Sequence, residues 1–291
     1  MKVRSMAVYK RGYRRYAGPL TGAWARFMVL PRYAWRRLYQ QRLVLLLTIL
    51  AFVWPLLCAG FIYLTNHAEL LQGLDQEFRE FIQVDGRFFS VFMYVQAGFA
   101  VVLAALAGPG LIAPDLANNA LLLYLSRPLT RWSYALARLT VLVGMLSVVT
   151  WVPGLILFGL QAGLAGGAWF GGHWTLGLGM VVGFMVWILI LSLVAMASSA
   201  YVKWRIVAAA VSLAFFFILA GVAEMIDQVL RVRWGHIIDP AWAVNQVWRV
   251  LLGVPVIEGP GAAVSAAALA TTALLLVLVI ERKLRPVEVV K

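Results

Sequence analysis

Hydrophobic residues gather into six blocks along this chain, at about 43–64, 89–113, 134–160, 174–200, 206–223 and 262–280. A helix rises about 1.5 Å per residue, so about 20 apolar residues cross roughly 30 Å of hydrocarbon, and each block is of that order. Lipid offers no partner for backbone N–H and C=O groups, which makes the helix the conformation such blocks adopt. The pattern therefore predicts an all-α, polytopic membrane protein with six transmembrane helices and both termini on one side.

The segments between the blocks carry a second pattern. Before the first block, Trp24, Phe27, Met28, Trp35, Leu38 and Tyr39 recur at helical spacing, while Arg26, Arg32, Arg36 and Arg37 fall mostly elsewhere. Residues 1–42 are thus expected to form a basic segment ending in an N-terminal interfacial amphipathic helix, ahead of a six-helix transmembrane domain over 43–291. Pro31 is suited to be the first residue of a new helix, where its missing N–H costs nothing. Pro55 lies inside the first block and predicts a kink there if a neighbouring helix satisfies the freed carbonyl. Residues 66–87 place Leu70, Leu71, Leu74, Phe78, Phe81 and Ile82 on one helical face, as a helix resting on the outer leaflet would. The long outer segment 224–261, with Trp242, Val244, Val247, Trp248, Leu251 and Leu252, reads either as a surface-lying helix or as a re-entrant one that caps the bundle. Gly179 and Gly183 form a G-x-x-x-G pair in the fourth block, a spacing that lets another backbone approach closely.

Composition and charge sharpen the topology. Of 291 residues 63% are hydrophobic and 13% charged, an apolar excess that a single water-soluble core cannot hide. The formal charge of +13 would suit nucleic acid, but Lys and Arg crowd beside the apolar blocks, so they are read as orienting the chain in a membrane and no nucleic-acid partner is expected. With the N-terminus in the cytoplasm, 20 of the 25 basic residues fall on the inner side and nine of the twelve acids on the outer. That distribution follows the positive-inside rule at every loop and predicts a multi-pass protein of the cell (inner, cytoplasmic) membrane with both termini cytoplasmic. About forty residues precede the first block, longer than the leading region of a cleaved signal, so the segment is expected to be retained. Cys58, the only cysteine, can form no intrachain disulfide and reads as a small buried hydrophobe.

Candidate chemistry is sparse. The middle of every block lacks Asp, Glu, Lys, Arg and His, which argues against a catalytic or proton-coupled centre at membrane depth. Glu224 and Asp227 sit at the outer end of the fifth block and read as solvated caps. His67, His173 and His236 fall in three separate outer loops without metal-ligand spacing, and no phosphate-binding G-x-x-x-x-G-K-[ST] loop occurs. Hydroxyls such as Ser192, Ser198 and Ser199 remain as groups able to line a path.

The most informative stretch joins the second and third blocks. It runs from Gly108 through Pro114-Asp115 and a leucine-rich run to Leu125-Ser126-Arg127-Pro128-Leu129-Thr130-Arg131-Trp132-Ser133-Tyr134. Pro114 and Asp115 are good helix-start residues and Pro128 ends a helix, so a short cytoplasmic helix is predicted at about 114–127. Leu116, Leu121, Leu122, Leu123 and Leu125 need a cover, either the chain's own bundle and the headgroups or a groove on a partner protein.

An acidic residue, a short helix, and Leu-Ser-Arg-Pro-Leu-Thr-Arg followed by an aromatic-Ser-Tyr run resemble the ABC-2 type permeases, the membrane subunits of ATP-binding-cassette exporters. The basic interfacial helix, the six spans and the Asp239-Pro240 pair before the last span extend the likeness over most of the chain. The resemblance implies an ABC-2 (type V exporter-like) permease architecture in which the inner helix contacts the ATPase. Asp115, Asn119, Ser126, Arg127, Pro128 and Arg131 would then shape or dock that coupling element. It further implies a separate ATP-binding-cassette ATPase subunit carrying ATP and Mg, no cofactor on this chain, and a second permease, identical or not, paired with it in membrane lipid. The chain itself would be no enzyme. The apolar spans favour an amphiphilic or hydrophobic substrate. A membrane scaffold or assembly factor without a transported substrate is the alternative reading, and an intramembrane lipid enzyme a more distant one.

Overall fold

The computed structural model describes residues 22–67, 83–117 and 131–284, and among these the chain is helical almost throughout, with no strand. The helix α1 (Ala23–Tyr39) leads through Gln40 and Gln41 into α2 (Arg42–Ala51) and α3 (Val53–Asn66). Next come α4 (Gly86–Ala107), α5 (Pro109–Ala117), α6 (Arg131–Val149) and α7 (Trp151–Ala165). The long helices α8 (Gly167–Tyr201) and α9 (Arg205–Leu230), a 3₁₀ turn at Gly235–Ile238, α10 (Pro240–Leu251) and α11 (Ala262–Leu284) complete the order. Six stretches are long and apolar enough to cross a membrane: Arg42–Asn66, Gly86–Asp115, Trp132–Ala165, Gly167–Tyr201, Arg205–Leu230 and Ala262–Lys283. They contain the six predicted blocks, and the fold is that of an all-α, multi-pass membrane protein. The predicted outer helix over 66–87 falls mostly on residues 68–82, outside the described residues.

The fourth span, α8, is the central post. Its most apolar window is 72% buried, against 17% for α9 and 22% for α11, so the last two helices form the flank of the bundle and α8 its core. Helices α4, α5, α6, α7, α9, α10 and α11 all pack on it. A helix that meets only packed neighbours and lipid must be apolar all round, and α8 shows no polar stripe over the turns from Leu176 to Ala200. Small residues set the closest approaches: a side chain at Gly108 of α5's approach would collide with Ala195, and one at Gly154 of α7 with Met180.

Proline breaks the first and third spans, and one side chain repairs both. Pro55 has no N–H for the carbonyl of Ala51, and Pro153 has none for that of Val149; the helices are interrupted at Phe52 and Thr150, three residues before each proline. Gln96, fully buried in α4, donates its amide Nε2 to Ala51 O at 3.0 Å and also to Val149 O. The neighbour that the kink at Pro55 requires is therefore an amide on the second span.

Two local expectations are corrected. Pro31 does not start a helix, because α1 runs unbroken from Ala23 to Tyr39 with Pro31 inside it; the missing N–H costs one internal bond and the helix carries on. Helix α1 also does more than rest at the headgroups. Trp35 Nε1 donates to Val141 O at 2.9 Å, ten residues into α6, and its ring fills the space left by Gly144, while Ala34 and Leu38 are buried.

The segment 224–261 folds back against the bundle. Helix α10 lies beside the middle of α8, with the Leu251 carbonyl 2.6 Å from where a Gly179 side chain would stand and Trp248 filling the space above Gly183. The G-x-x-x-G pair thus receives a helix of the same chain. Asp239, buried, caps α10 by accepting from Ala241 N at 2.9 Å, and Pro240 takes the first helical position, where no N–H is missed. Gln246 ties the helix to the return loop through bonds with Ile257 and Pro260.

Candidate functional site

The connection between the second and third spans is anchored at its base by a buried ionic clamp. Asp115 lies in the last turn of α5 and Arg138 two turns into α6; the guanidinium Nη2 binds Asp115 Oδ2, and Tyr134 donates its hydroxyl to the same oxygen at 2.7 Å. The guanidinium also stands 5.1 Å from the Tyr134 ring centroid. Both charged side chains are at most 13% exposed, so each depends on the other for neutralisation.

The clamp revises one expectation. Helix α5 begins at Pro109, and Pro114 and Asp115 continue it instead of opening a new helix, so the carboxylate faces a cation on the next span and not a helix N-terminus. Residues 118–127 of the predicted coupling helix lie outside the described residues, as do Asn119, Ser126, Arg127 and Pro128. Arg131 is the first residue of α6.

A second joint lies at the α4–α5 break. Arg205, at the start of α9, donates Nη2 to Leu106 O at 3.1 Å and to Gln41 Oε1, linking the entries to spans one and five with the bend in span two. Arg205 Cζ comes within 3.6 Å of where a side chain at Gly110 would begin. Both joints tie neighbouring helices together through an arginine. What they can do is mechanical: a displacement of the segment between Asp115 and Arg138 reaches α5 and α6 together, and through them α8 and α9.

No protein-family model matches this chain, and no curated protein matches it. The site is therefore read from its own residues.

At the opposite end of the bundle the turn after α9 gathers a polar group. His236 Nε2 lies 3.9 Å from Glu224 Oε2 and 3.8 Å from Asp227 Oδ2, its ring stacks on Trp242 at 5.1 Å, and Asp227 Oδ1 accepts from Gly235 N at 2.5 Å. Asp227 is thus more than an end cap, since it pins the turn that sends the chain back into the bundle, while Glu224 stays exposed and accepts from Gln228 one turn on. Ser192, Ser198 and Ser199 are buried in α8; Ser198 Oγ pairs with Ser212 Oγ of α9 at 2.5 Å and so joins two helices, while Ser199 donates to Met196 O within α8 itself. Sequence reading missed Gln96 and the role of Arg138. A lone amide at the centre of an apolar block was the available signal for the first; nothing local distinguishes Arg138 from a topological charge.

Proposed function

We propose that this chain is the permease subunit of an ATP-binding-cassette transporter, exporting an amphiphilic or hydrophobic substrate with energy from ATP hydrolysed, with Mg, on a separate ATPase subunit. A second permease, in a homo- or heterodimer, completes the path. The observation that carries the reading is the clamp of Asp115, Arg138 and Tyr134 at the root of the leucine-rich connection. A segment that docks on a motor protein must be rigidly joined to the spans it moves, and a buried ion pair is such a joint. A cavity of about 220 Å³ between α4, α8 and α10, lined by Tyr94, Val101, Trp187 and Trp248 with Asn245 as a polar group, supports an amphiphilic ligand.

Reversing charge at Arg127 and Arg131 tests the docking. The doubly substituted Arg127→Glu, Arg131→Glu chain, reconstituted with its ATPase, is expected to lose stimulation of hydrolysis while its helix content and melting stay as in the parent. Stimulation unchanged by the substitutions overturns the assignment. Absence of any ATPase from complexes purified under mild conditions would favour the scaffold reading.

A further inference from the structure

The flank formed by α9 and α11 holds an elongated groove of about 570 Å³. Its walls are Phe215 and Leu219 on one side and, on the other, Val264, Ala268, Leu275 and Val279. These α11 residues are spaced by four, seven and four positions, so the groove follows one face of the helix for about 22 Å at about 1.5 Å per residue. One leaflet of a bilayer is about 15 Å of hydrocarbon, which such a groove exceeds.

The groove offers hydrogen-bonding hydroxyls only in appearance. Thr271 Oγ1 donates to Ala267 O at 2.8 Å and Thr272 Oγ1 to Ala268 O at 2.9 Å, which uses the hydroxyl hydrogens within α11 itself. A polar solute entering here would lose water and find no donor, whereas a hydrocarbon chain loses nothing.

The two ends of the groove differ in charge. Continuing the same helical face beyond Val279 by three and four residues reaches Arg282 and Lys283, both exposed. Tyr201 closes that end: its hydroxyl donates to Val279 O at 3.3 Å, and Lys283 Nζ lies 5.3 Å from its ring centroid. Lys203 and Trp204, the latter 76% exposed, follow directly, giving the aromatic and basic residues typical of headgroup depth, with Glu281 as the acid among them. At the far end Arg233 is paired with Glu258, while Glu224 and Asp227 stand near His236. One end is thus net cationic, while at the other Arg231 and Arg233 stand among Glu224, Asp227 and Glu258.

We propose that the α9–α11 groove is a binding site for a single anionic lipid, its acyl chain lying along Val264–Val279 and its phosphate held at Lys203, Arg282 and Lys283. The site stands independently of the transport reading, since it uses neither the clamp nor the leucine-rich connection. A lipid seated here would fill the seam between the two least buried spans.

Photo-crosslinking tests it, with the full chain in nanodiscs of phosphatidylcholine doped with phosphatidylglycerol or phosphatidylcholine carrying a diazirine on the acyl chain. Peptides covering 264–279 are expected to be labelled, with phosphatidylglycerol ahead of phosphatidylcholine. Arg282→Ala and Lys283→Ala should each cut that preference by about fivefold and leave the acyl label in place, since both cations are at the surface and folding does not depend on them. Ala268→Trp, which fills the groove, should remove the acyl label. Equal labelling by the two lipids in the parent, or labelling untouched by Ala268→Trp, overturns the proposal. So does a Thr272→Cys, Cys58→Ser chain that crosslinks to a second copy through position 272 and excludes the lipid probe.

Discussion

At the residue scale, one buried amide bridges the proline breaks of two spans. Gln96 gives its two amide hydrogens to the carbonyls that Pro55 and Pro153 leave open on two different spans. Hydrogen bonds between membrane helices are worth about 0.6 kcal/mol on average and about 1.7 at most, so Gln96→Leu is expected to cost about 1–3 kcal/mol. The sharper prediction concerns coupling. With Pro55→Ala and Pro153→Ala in place, each helix can bond its own carbonyl, and the cost of Gln96→Leu should fall to a few tenths of a kcal/mol. Unfolding in bicelles, comparing the four chains, measures it; an equal cost in both backgrounds would show that the amide has another role. The clamp obeys a different rule. Arg138→Leu alone strands the Asp115 carboxylate in a buried position and should cost about 3–5 kcal/mol, whereas Arg138→Leu with Asp115→Leu should recover most of that loss. Thermal melting of the three variants distinguishes a stranded charge from simple loss of contact.

At the scale of elements, glycines divide into those that admit a neighbour and those that face lipid. A side chain at Gly183 would come within 2.6 Å of Trp248 Cδ1, and one at Gly60 meets nothing within 4 Å. Gly183→Ile should therefore push α10 off the α8 surface and lower stability by about 1–3 kcal/mol, while Gly60→Ala should be neutral or slightly stabilising. Melting temperature and tryptophan emission, which reports Trp248 and Trp187 moving towards a more polar setting, check both. The contrast also marks what a sequence can carry. Span positions were legible because crossing a bilayer imposes a length on apolar runs, and each predicted block reappears with ragged ends. The partner of Gly179 and Gly183 was not legible, because G-x-x-x-G states that something approaches without stating what; only the fold shows that it is the helix 240–251 of the same chain. Pro31 and Pro114 misled for a related reason. Proline favours the first turn of a helix, yet a helix already running can pass through it at the loss of one bond, and both helices do so. Of the candidate site, Asp115 was found by its place in a motif, while its partner Arg138 sits 23 residues away and looked like one more charge near a membrane end.

For the molecule as a whole, the central post α8 fixes the relation between the two ends. Helices α5 and α6, which carry the clamp, and α10 all pack on it, so the clamp end and the turn around His236 belong to one packed unit. Charge predicts which end meets the cytoplasm. Twenty of the 25 basic residues lie at one end under the six-span topology and nine of the twelve acids at the other, a bias that orients a chain during insertion. Placing a single cysteine at Leu123, in a chain carrying Cys58→Ser, should therefore give a thiol that a membrane-impermeant maleimide reaches in inverted vesicles and not in intact cells; Asp75→Cys in the same background should show the opposite pattern. Because ATP is confined to the cytoplasm, a leucine-rich connection labelled from outside could not meet an ATPase there, and that single result would remove the energy source on which the transport reading depends.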